Sequence, residues 1–307
     1  MLRHSPHRSS NPGLETWHLG LSQALPDGGD FGSLGDGRGL GNLVLFSKMK
    51  IEEARGFLVE LAEASAKEIL PHFGRKGVGV DTKSDLSPVT VADREAERVM
   101  REMIGQRFPE HGIVGEEFGT LRGDAEFVWV LDPIDGTKSF ISAIPLFGTL
   151  IGLMHRGRPV LGCIHQPVLR QLMIGDGEVT TLNGEPVRGR PCASLSDATL
   201  LMSDPMHPAV YQDGAKFEAL CRRARVVRSW GDCYGYLLVA AGWADVMVDP
   251  IMNPWDLQPI VPIIRGAGGV ITDWNGGSAD GLAAASGIAA MPGIHAEVVR
   301  ALNGGPG

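Results

Sequence analysis

From residue 127 onward the sequence delivers short apolar runs in close succession: FVWVL, LFGTLIGLM, PVLGCIHQP and QLMIG, closed by the Asn183-Gly184 turn signal. Runs of this length, joined by brief turn-rich links, predict neighbouring strands of an antiparallel sheet. Beyond residue 198 the rhythm changes. Strand-like runs (ATLLMS, RVV, ADVMV, GGVIT, IAAMP) alternate with helical stretches near 213–224, near 233–242, after Trp255 and at the C-terminal end. Such alternation predicts an α/β arrangement. Ahead of the sheet lie two amphipathic helices. Ile51, Ala54, Leu58, Leu61, Ala62 and Ile69 share one face, with Ser65 the single small polar residue on it. In the second helix Ala92, Ala96, Val99, Met103 and Ile104 form the stripe, and Thr90 with Asp93 reads as a capping box.

Residues 1–48 are different: polar, glycine-rich and without period, they predict a disordered extension. Met49 opens the first well-patterned segment, so an over-long start is one explanation and a natural tail the other. The glycine cluster lacks the Gly-Lys-Ser/Thr ending of a phosphate-binding loop. One folded domain is expected over residues 49–303, comprising an antiparallel-sheet lobe with paired helices (49–190) and an α/β lobe (191–303). At 307 residues and 43% hydrophobic content, the chain can bury a core of that size.

The formal charge of -8 argues against nucleic acid or an anionic membrane as the main partner. No apolar run approaches the roughly 20 residues of a membrane span, and the N-terminus lacks a secretory core, so a cytoplasmic protein is expected. The four cysteines form no CxxC pair, which predicts reduced thiols and no zinc knuckle. His111, His155, His165 and His207 are isolated and offer no metal-binding pair.

The segment WVLDPIDGTKSF places Asp132 and Asp135 three positions apart. On a regular strand such residues point to opposite faces. Pro133 is expected to stop the strand, and a turn then lets both carboxylates converge, with the Ile134 carbonyl left free. Asp-Pro-x-Asp-Gly is also an ordinary surface turn. Other acids nonetheless occur in equally apolar settings: Glu116 and Glu117 after Gly-Ile-Val-Gly, and Asp256 beside Trp255. If these meet, each like-charged pair at ~4 Å costs up to about 4 kcal/mol at an effective dielectric near 20. Such a cluster must hold protons or bind cations, and an all-oxygen set suits Mg²⁺ rather than zinc.

GEE, DPIDGT and WD followed by GAGGVITD, in this order and spacing, resemble the inositol monophosphatase family of Mg²⁺-dependent, lithium-sensitive phosphatases. The likeness covers roughly residues 50–303. It implies an α+β, α/β/α/β/α layered sandwich of the inositol monophosphatase and fructose-1,6-bisphosphatase type, and a homodimer. It also implies two or more Mg²⁺ ions: Glu116, Asp132 and the Ile134 carbonyl at the first, Asp132, Asp135 and Asp256 at the second. Thr137 and Asp93, assisted by Glu116, would orient and deprotonate an attacking water, with no covalent phosphoenzyme. The Gly136 and Thr137 amides would receive the phosphate. Lys83 matches a loop near the active site of the family.

Within the family, DPIDGTKSFISAIPLFGTLIGL, GDCYGYLL and GAGGVITDWNG look most like the histidinol-phosphate phosphatases of histidine biosynthesis. Histidinol phosphate carries an ammonium and an imidazole, so its pocket should add carboxylates away from the metals. Asp232 and Asp249 occupy the stretches that line the leaving-group side in the family, and Asn253 offers a further polar contact. Asp232 could equally cap the helix beginning at Cys233. Gln258 and Pro259 depart from the family pattern and predict a late start for the helix after Asp256. The alternatives are an inositol-1-monophosphatase, a 3'(2'),5'-bisphosphate nucleotidase, or an RNA- or transcription-associated binding protein on the same fold.

Overall fold

The computed structural model of the chain describes residues 38–75, 80–82 and 88–304. The disorder expected of residues 1–37 and the loop position Lys83 lie outside the described residues. In chain order the helices are α1 Arg38–Ile69, α2 Val91–Arg107, α3 Thr137–Ile141, α4 His207–Tyr211, α5 Gly214–Arg223, α6 Asp232–Ala240, α7 Pro254–Leu257, α8 Ile260–Gly266 and α9 Pro292–Asn303. The strands are β1 Val80–Thr82, β2 Pro88–Thr90, β3 Gly112–Gly115, β4 Gly119–Leu121, β5 Phe127–Asp135, β6 Gly148–His155, β7 Arg158–Gln166, β8 Gln171–Gly175, β9 Thr180–Leu182, β10 Glu185–Val187, β11 Thr199–Met202, β12 Val226–Arg228, β13 Val246–Asp249, β14 Val270–Thr272 and β15 Gly287–Ala290.

The first helix begins at Arg38 rather than at Met49. Residues 38–48 only have to extend a helix already nucleated further along, and propagation is far easier than nucleation. On α2 the buried face is Ala92, Asp93, Ala96, Glu97, Met100 and Ile104. It is rotated from the expected stripe, and Val99 and Met103 are only half-buried. Thr90 caps the helix and forms the expected capping box with Asp93.

An eight-stranded sheet runs β10-β9-β8-β7-β6-β5-β3-β4, antiparallel except that β3 lies parallel to β5. A five-stranded sheet runs β12-β11-β13-β15-β14, with β11 parallel to β12 and β13. One face of the large sheet is covered by α1 and α2 through Phe57, Leu58, Leu61, Met100 and Ile104 against Trp129, Leu131, Ile151 and Leu161. The other face meets α6 and α8, which also cover the five-stranded sheet at Leu201, Met247 and Ala289. The far side of that second sheet packs on α5 and α9 through Phe217, Leu220, Ile294 and Val298. The layers are therefore α/β/α/β/α, the architecture implied by the resemblance.

A row of glycines lets the middle layer sit close. Gly152, Gly162 and Gly175 are directly opposed across β6, β7 and β8. A Cβ on Gly162 would fall 1.7 Å from the Pro259 carbonyl oxygen, and one on Gly175 would fall 2.5 Å from Ile263 Cα. The helix after Asp256 does not start late as expected. It starts at Pro254, pauses at Gln258–Pro259 and resumes at Ile260. Buried Gln258 holds the pause in place, donating to the Ala279 and Gly281 carbonyls and accepting from the Gly281 amide. Among the described residues no helix is long and apolar enough to cross a membrane.

Candidate active site

Strand β5 does not stop at Pro133. Asp132 pairs with Leu150 and Asp135 with Gly148, so Pro133 and Ile134 together oppose the single residue Thr149. This is a β-bulge, and the extra residue inverts the alternation of the strand. Asp132 and Asp135, expected on opposite faces of a regular strand, thereby share one. The Ile134 amide donates to Asp132 Oδ1 at 3.0 Å, and the Thr137 hydroxyl donates to the Ile134 carbonyl at 3.1 Å. Gly136 then enters α3 with φ 88°, where a Cβ would crowd the Leu146 carbonyl at 2.8 Å.

Asp256 arrives from the other lobe at the third position of α7, where it accepts from the Asn253 amide at 2.7 Å while Asn253 caps the helix in return. Oxygens of Asp132, Asp135 and Asp256 all lie within 4.8 Å of one another. Burial, reinforced by Glu116, Asp135 and Asp256, holds Asp132 well above the ordinary carboxylate range. Burial with Asp232 and Asp256 does the same for Asp135. Burial, opposed by the Asn253 amide and supported by Glu116, pushes Asp256 to about 7. Three carboxylates that resist joint ionisation, Asp132 buried and Asp135 and Asp256 half-buried, offer only oxygen donors and fit a hard divalent cation. Among the described residues this trio could hold a metal. Glu116 lies next to the trio through its interaction with Asp132, placed there because its amide extends the β3–β5 ladder to the Leu131 carbonyl.

Asp93 approaches from α2. Its Oδ2 accepts from the Thr90 amide and hydroxyl at 2.8 and 2.6 Å, leaving buried Oδ1 with no hydrogen-bond partner among the described residues. Burial, partly offset by those two bonds, raises Asp93 to about 6. The expected contact between Asp93 and the Thr137 hydroxyl is not made, because Thr137 turns to the Ile134 carbonyl instead.

Sequence reasoning missed Glu97. It is fully buried and accepts from the Glu117 and Phe118 amides at 2.7 and 3.2 Å and from Arg101 Nε at 2.7 Å. It thus anchors the loop that carries Glu116. Gly115 makes room for it, since a Cβ there would sit 2.1 Å from Glu97 Oε1. The available signal was the spacing of Asp93 and Glu97, two acids one turn apart on a face otherwise built of Ala92, Ala96 and Met100.

Beside the trio opens a cavity of about 430 Å³ lined by residues that include Asp135, Asp232, Asp249, Asn253, His207 and Tyr211. Asp232 does not cap α6 in the expected way. The Cys233 amide is taken by Asp135, so a residue of the large sheet caps a helix of the second lobe. Asp232 adopts φ 51° and its amide donates to Ser203 Oγ at 2.8 Å. Burial and the charge of Asp249, opposed by Lys138, push its carboxyl to about 7. Asp249 is already engaged, accepting from the Ser203 amide at 3.2 Å and the Tyr236 hydroxyl at 2.9 Å. His207, which has no partner histidine in the sequence, lines this cavity from the short helix α4, which carries no periodic signal long enough to read.

Comparison with known proteins gives the same direction. The chloroplastic bifunctional phosphatase IMPL2 of Arabidopsis thaliana is 45% identical over 219 residues, 70% of this chain and 63% of that protein's own length. A histidinol-phosphatase of Chlorobaculum parvum is 41% identical over 71% of this chain and 85% of its own. Among solved structures, an inositol monophosphatase from Zymomonas mobilis superposes with a TM-score of 0.74 at 37% identity, covering 82% of this chain and 98% of that one. The pattern of the inositol monophosphatase family matches residues 50–304. With its layered fold, its three converging carboxylates and that match over most of its length, the chain belongs to the inositol monophosphatase family and is a phosphatase of that family.

Proposed function

We propose that the chain hydrolyses L-histidinol phosphate to L-histidinol and phosphate with the help of Mg²⁺. The observation that carries the reading is the convergence of Asp132, Asp135 and Asp256 beside a cavity that holds further carboxylates. Glu116, Asp132 and the Ile134 carbonyl would hold one ion, and Asp132, Asp135 and Asp256 a second. When bound, Mg²⁺ supplies positive charge against the phosphate oxygens and the charges that develop during in-line displacement. The Gly136 and Thr137 amides orient the phosphate. Asp93, with its unpartnered Oδ1 and a pKa near 6, takes the proton of the attacking water, aided by Thr137 and Glu116. Water oxygen bonds to phosphorus as the ester oxygen leaves, and the proton that Asp93 accepted returns through solvent to the departing alkoxide, giving the alcohol and inorganic phosphate.

Substrate choice rests on the cavity wall. Asp232 is the carboxylate with charge to offer: a substrate ammonium would draw its pKa down from about 7 and share its half-buried site. Asn253 adds a polar contact. The relatives named histidinol-phosphatase support this choice. Inositol 1-phosphate is the second reading, favoured by the engagement of Asp249 with Ser203 and Tyr236, which leaves Asp232 as the one cavity-wall acid to meet a substrate cation. Histidine biosynthesis, a cytoplasmic location and a homodimer go with the first reading.

The test is phosphate release from histidinol phosphate, inositol 1-phosphate and adenosine 3',5'-bisphosphate at saturating Mg²⁺. A clear preference for histidinol phosphate supports the assignment, and equal rates on all three refute it.

A further inference from the structure

We propose that Ser65 and Thr149 are positioning residues for the carboxylate turn, acting as a two-hydroxyl relay that runs from α1 to the peptide between Pro133 and Ile134. The proposal rests on the reading of Asp132 as a metal ligand.

The bulge creates a problem that the relay solves. Pro133 and Ile134 face one residue, so the Pro133 carbonyl has no place in the regular ladder between β5 and β6, yet it is buried. A buried carbonyl without a donor is costly. Thr149, the residue opposite the bulge, supplies that donor from its side chain: its hydroxyl reaches the Pro133 oxygen at 2.8 Å. Ser65 Oγ lies 2.9 Å from the same Thr149 oxygen. The direction follows from counting protons. A carbonyl can only accept, so Thr149 spends its single hydroxyl proton on Pro133, and Ser65 must donate to Thr149. Both side chains are fully buried, so water does not compete for either bond. Successive bonds in one direction polarise and strengthen each other.

The consequence reaches Asp132. The Pro133 carbonyl and the Ile134 N–H are the two ends of one rigid peptide plane. Thr149 holds the oxygen end, and the N–H end donates to Asp132 Oδ1 at 3.0 Å. Rotating that plane would swing the N–H away from the carboxylate. Helix α1 is held in register for the relay by a neighbouring contact: His165, the cross-strand partner of Thr149, bonds through Nδ1 to the Ala62 carbonyl at 3.0 Å, one turn before Ser65. A polar residue on the apolar face of α1 thus orients a carboxylate on the far side of a strand.

The experiment is calorimetric titration of Mg²⁺ into the metal-free full chain and its variants, with thermal midpoints recorded alongside. Thr149→Val is expected to weaken Mg²⁺ binding about tenfold, while Thr149→Ser, which keeps the hydroxyl, stays within about twofold of the parent. Ser65→Ala leaves the Thr149–Pro133 bond in place and is expected to give a smaller loss in the same direction. It keeps the test decisive should Thr149→Val not fold. Leu161→Ala, in the core beneath α1, should lower the thermal midpoint without changing Mg²⁺ affinity. Parent-like affinity in both Thr149→Val and Ser65→Ala would overturn the proposal, as would an equal loss in Leu161→Ala. An unmutated protein that binds no Mg²⁺ would remove the metal-site reading itself, and this inference with it.

Discussion

Replacing Gly162 by alanine adds one methyl group where two layers touch. The new Cβ would lie 1.7 Å from the Pro259 carbonyl oxygen, 2.8 Å from the Pro259 carbonyl carbon and 3.0 Å from Pro262 Cγ. A carbon meets a carbonyl oxygen comfortably at roughly 3.3 Å, so the segment at Pro259 must retreat by about 1.5 Å. Its atoms are backbone, pinned by Gln258, and cannot swing aside as a side-chain tip would. Overpacking of this kind costs about 3 kcal/mol. For a domain of this size that lowers the thermal midpoint by roughly 6–12 °C. The same retreat drags Asp256, three residues before Pro259, away from Asp132 and Asp135, so Mg²⁺ affinity should fall as well. Gly56→Ala is the matched control: it sits exposed within α1 with nothing near its would-be Cβ, and should gain about 0.5–1 kcal/mol from helix propensity. Urea midpoints for both variants and the parent make the measurement. A Gly162→Ala protein within about 1 kcal/mol of the parent would refute the idea that glycine-enabled contact sets the spacing of these layers.

Asp93, Asp232 and Asp256 have folded pKa values near 6, 7 and 7, above the ordinary carboxylate value of 3.8. The metal-free fold therefore binds more protons than the unfolded chain, and its stability should fall as pH rises from about 4 to 7, by about 3 kcal/mol for Asp93 alone; denaturation curves showing the opposite slope would contradict this. Asp132→Asn should abolish phosphate release yet stabilise the metal-free protein above pH 8, by about 1–3 kcal/mol from relief of like charge, seen in scanning calorimetry as a higher thermal midpoint. Glu97→Gln should raise the Mg²⁺ concentration needed for half-maximal activity about tenfold by loosening the Glu116 loop, with a smaller effect on the rate at saturation. Asp232→Asn should reduce kcat/KM for histidinol phosphate by about 2 kcal/mol, roughly thirtyfold, while changing that for inositol 1-phosphate little.

Much of the layering was legible because hydrophobic period and turn residues are local. The runs from FVWVL to QLMIG became adjacent antiparallel strands, and Thr90 and Asp93 formed the expected cap. The meeting of Asp132, Asp135 and Asp256 could be anticipated from their apolar settings, although the device that turns Asp132 and Asp135 to one side could not. Proline lacks an N–H, so Pro133 is compatible with a strand end and with a bulge, and only the pairing opposite Thr149 decides between them. Asp135 as the cap of α6 joins residues 98 positions apart, a contact no local pattern encodes. Glu97 was hidden by phase: a stripe drawn through Val99 and Met103 points away from the face that Asp93, Glu97 and Met100 share. The parallel pairing of β3 with β5 was likewise invisible, because β4 and the chain beyond it return along the sheet edge before β5 begins.

Buried Asp132 and half-buried Asp135 and Asp256 share a space in which they cannot all ionise unless a divalent cation joins them. Titration of metal-free protein with Mg²⁺ at pH 6, in two buffers of different ionisation enthalpy, counts the protons displaced on binding. Binding with release of about one or more protons per chain is expected. Binding without proton release, or no binding at all, would contradict it.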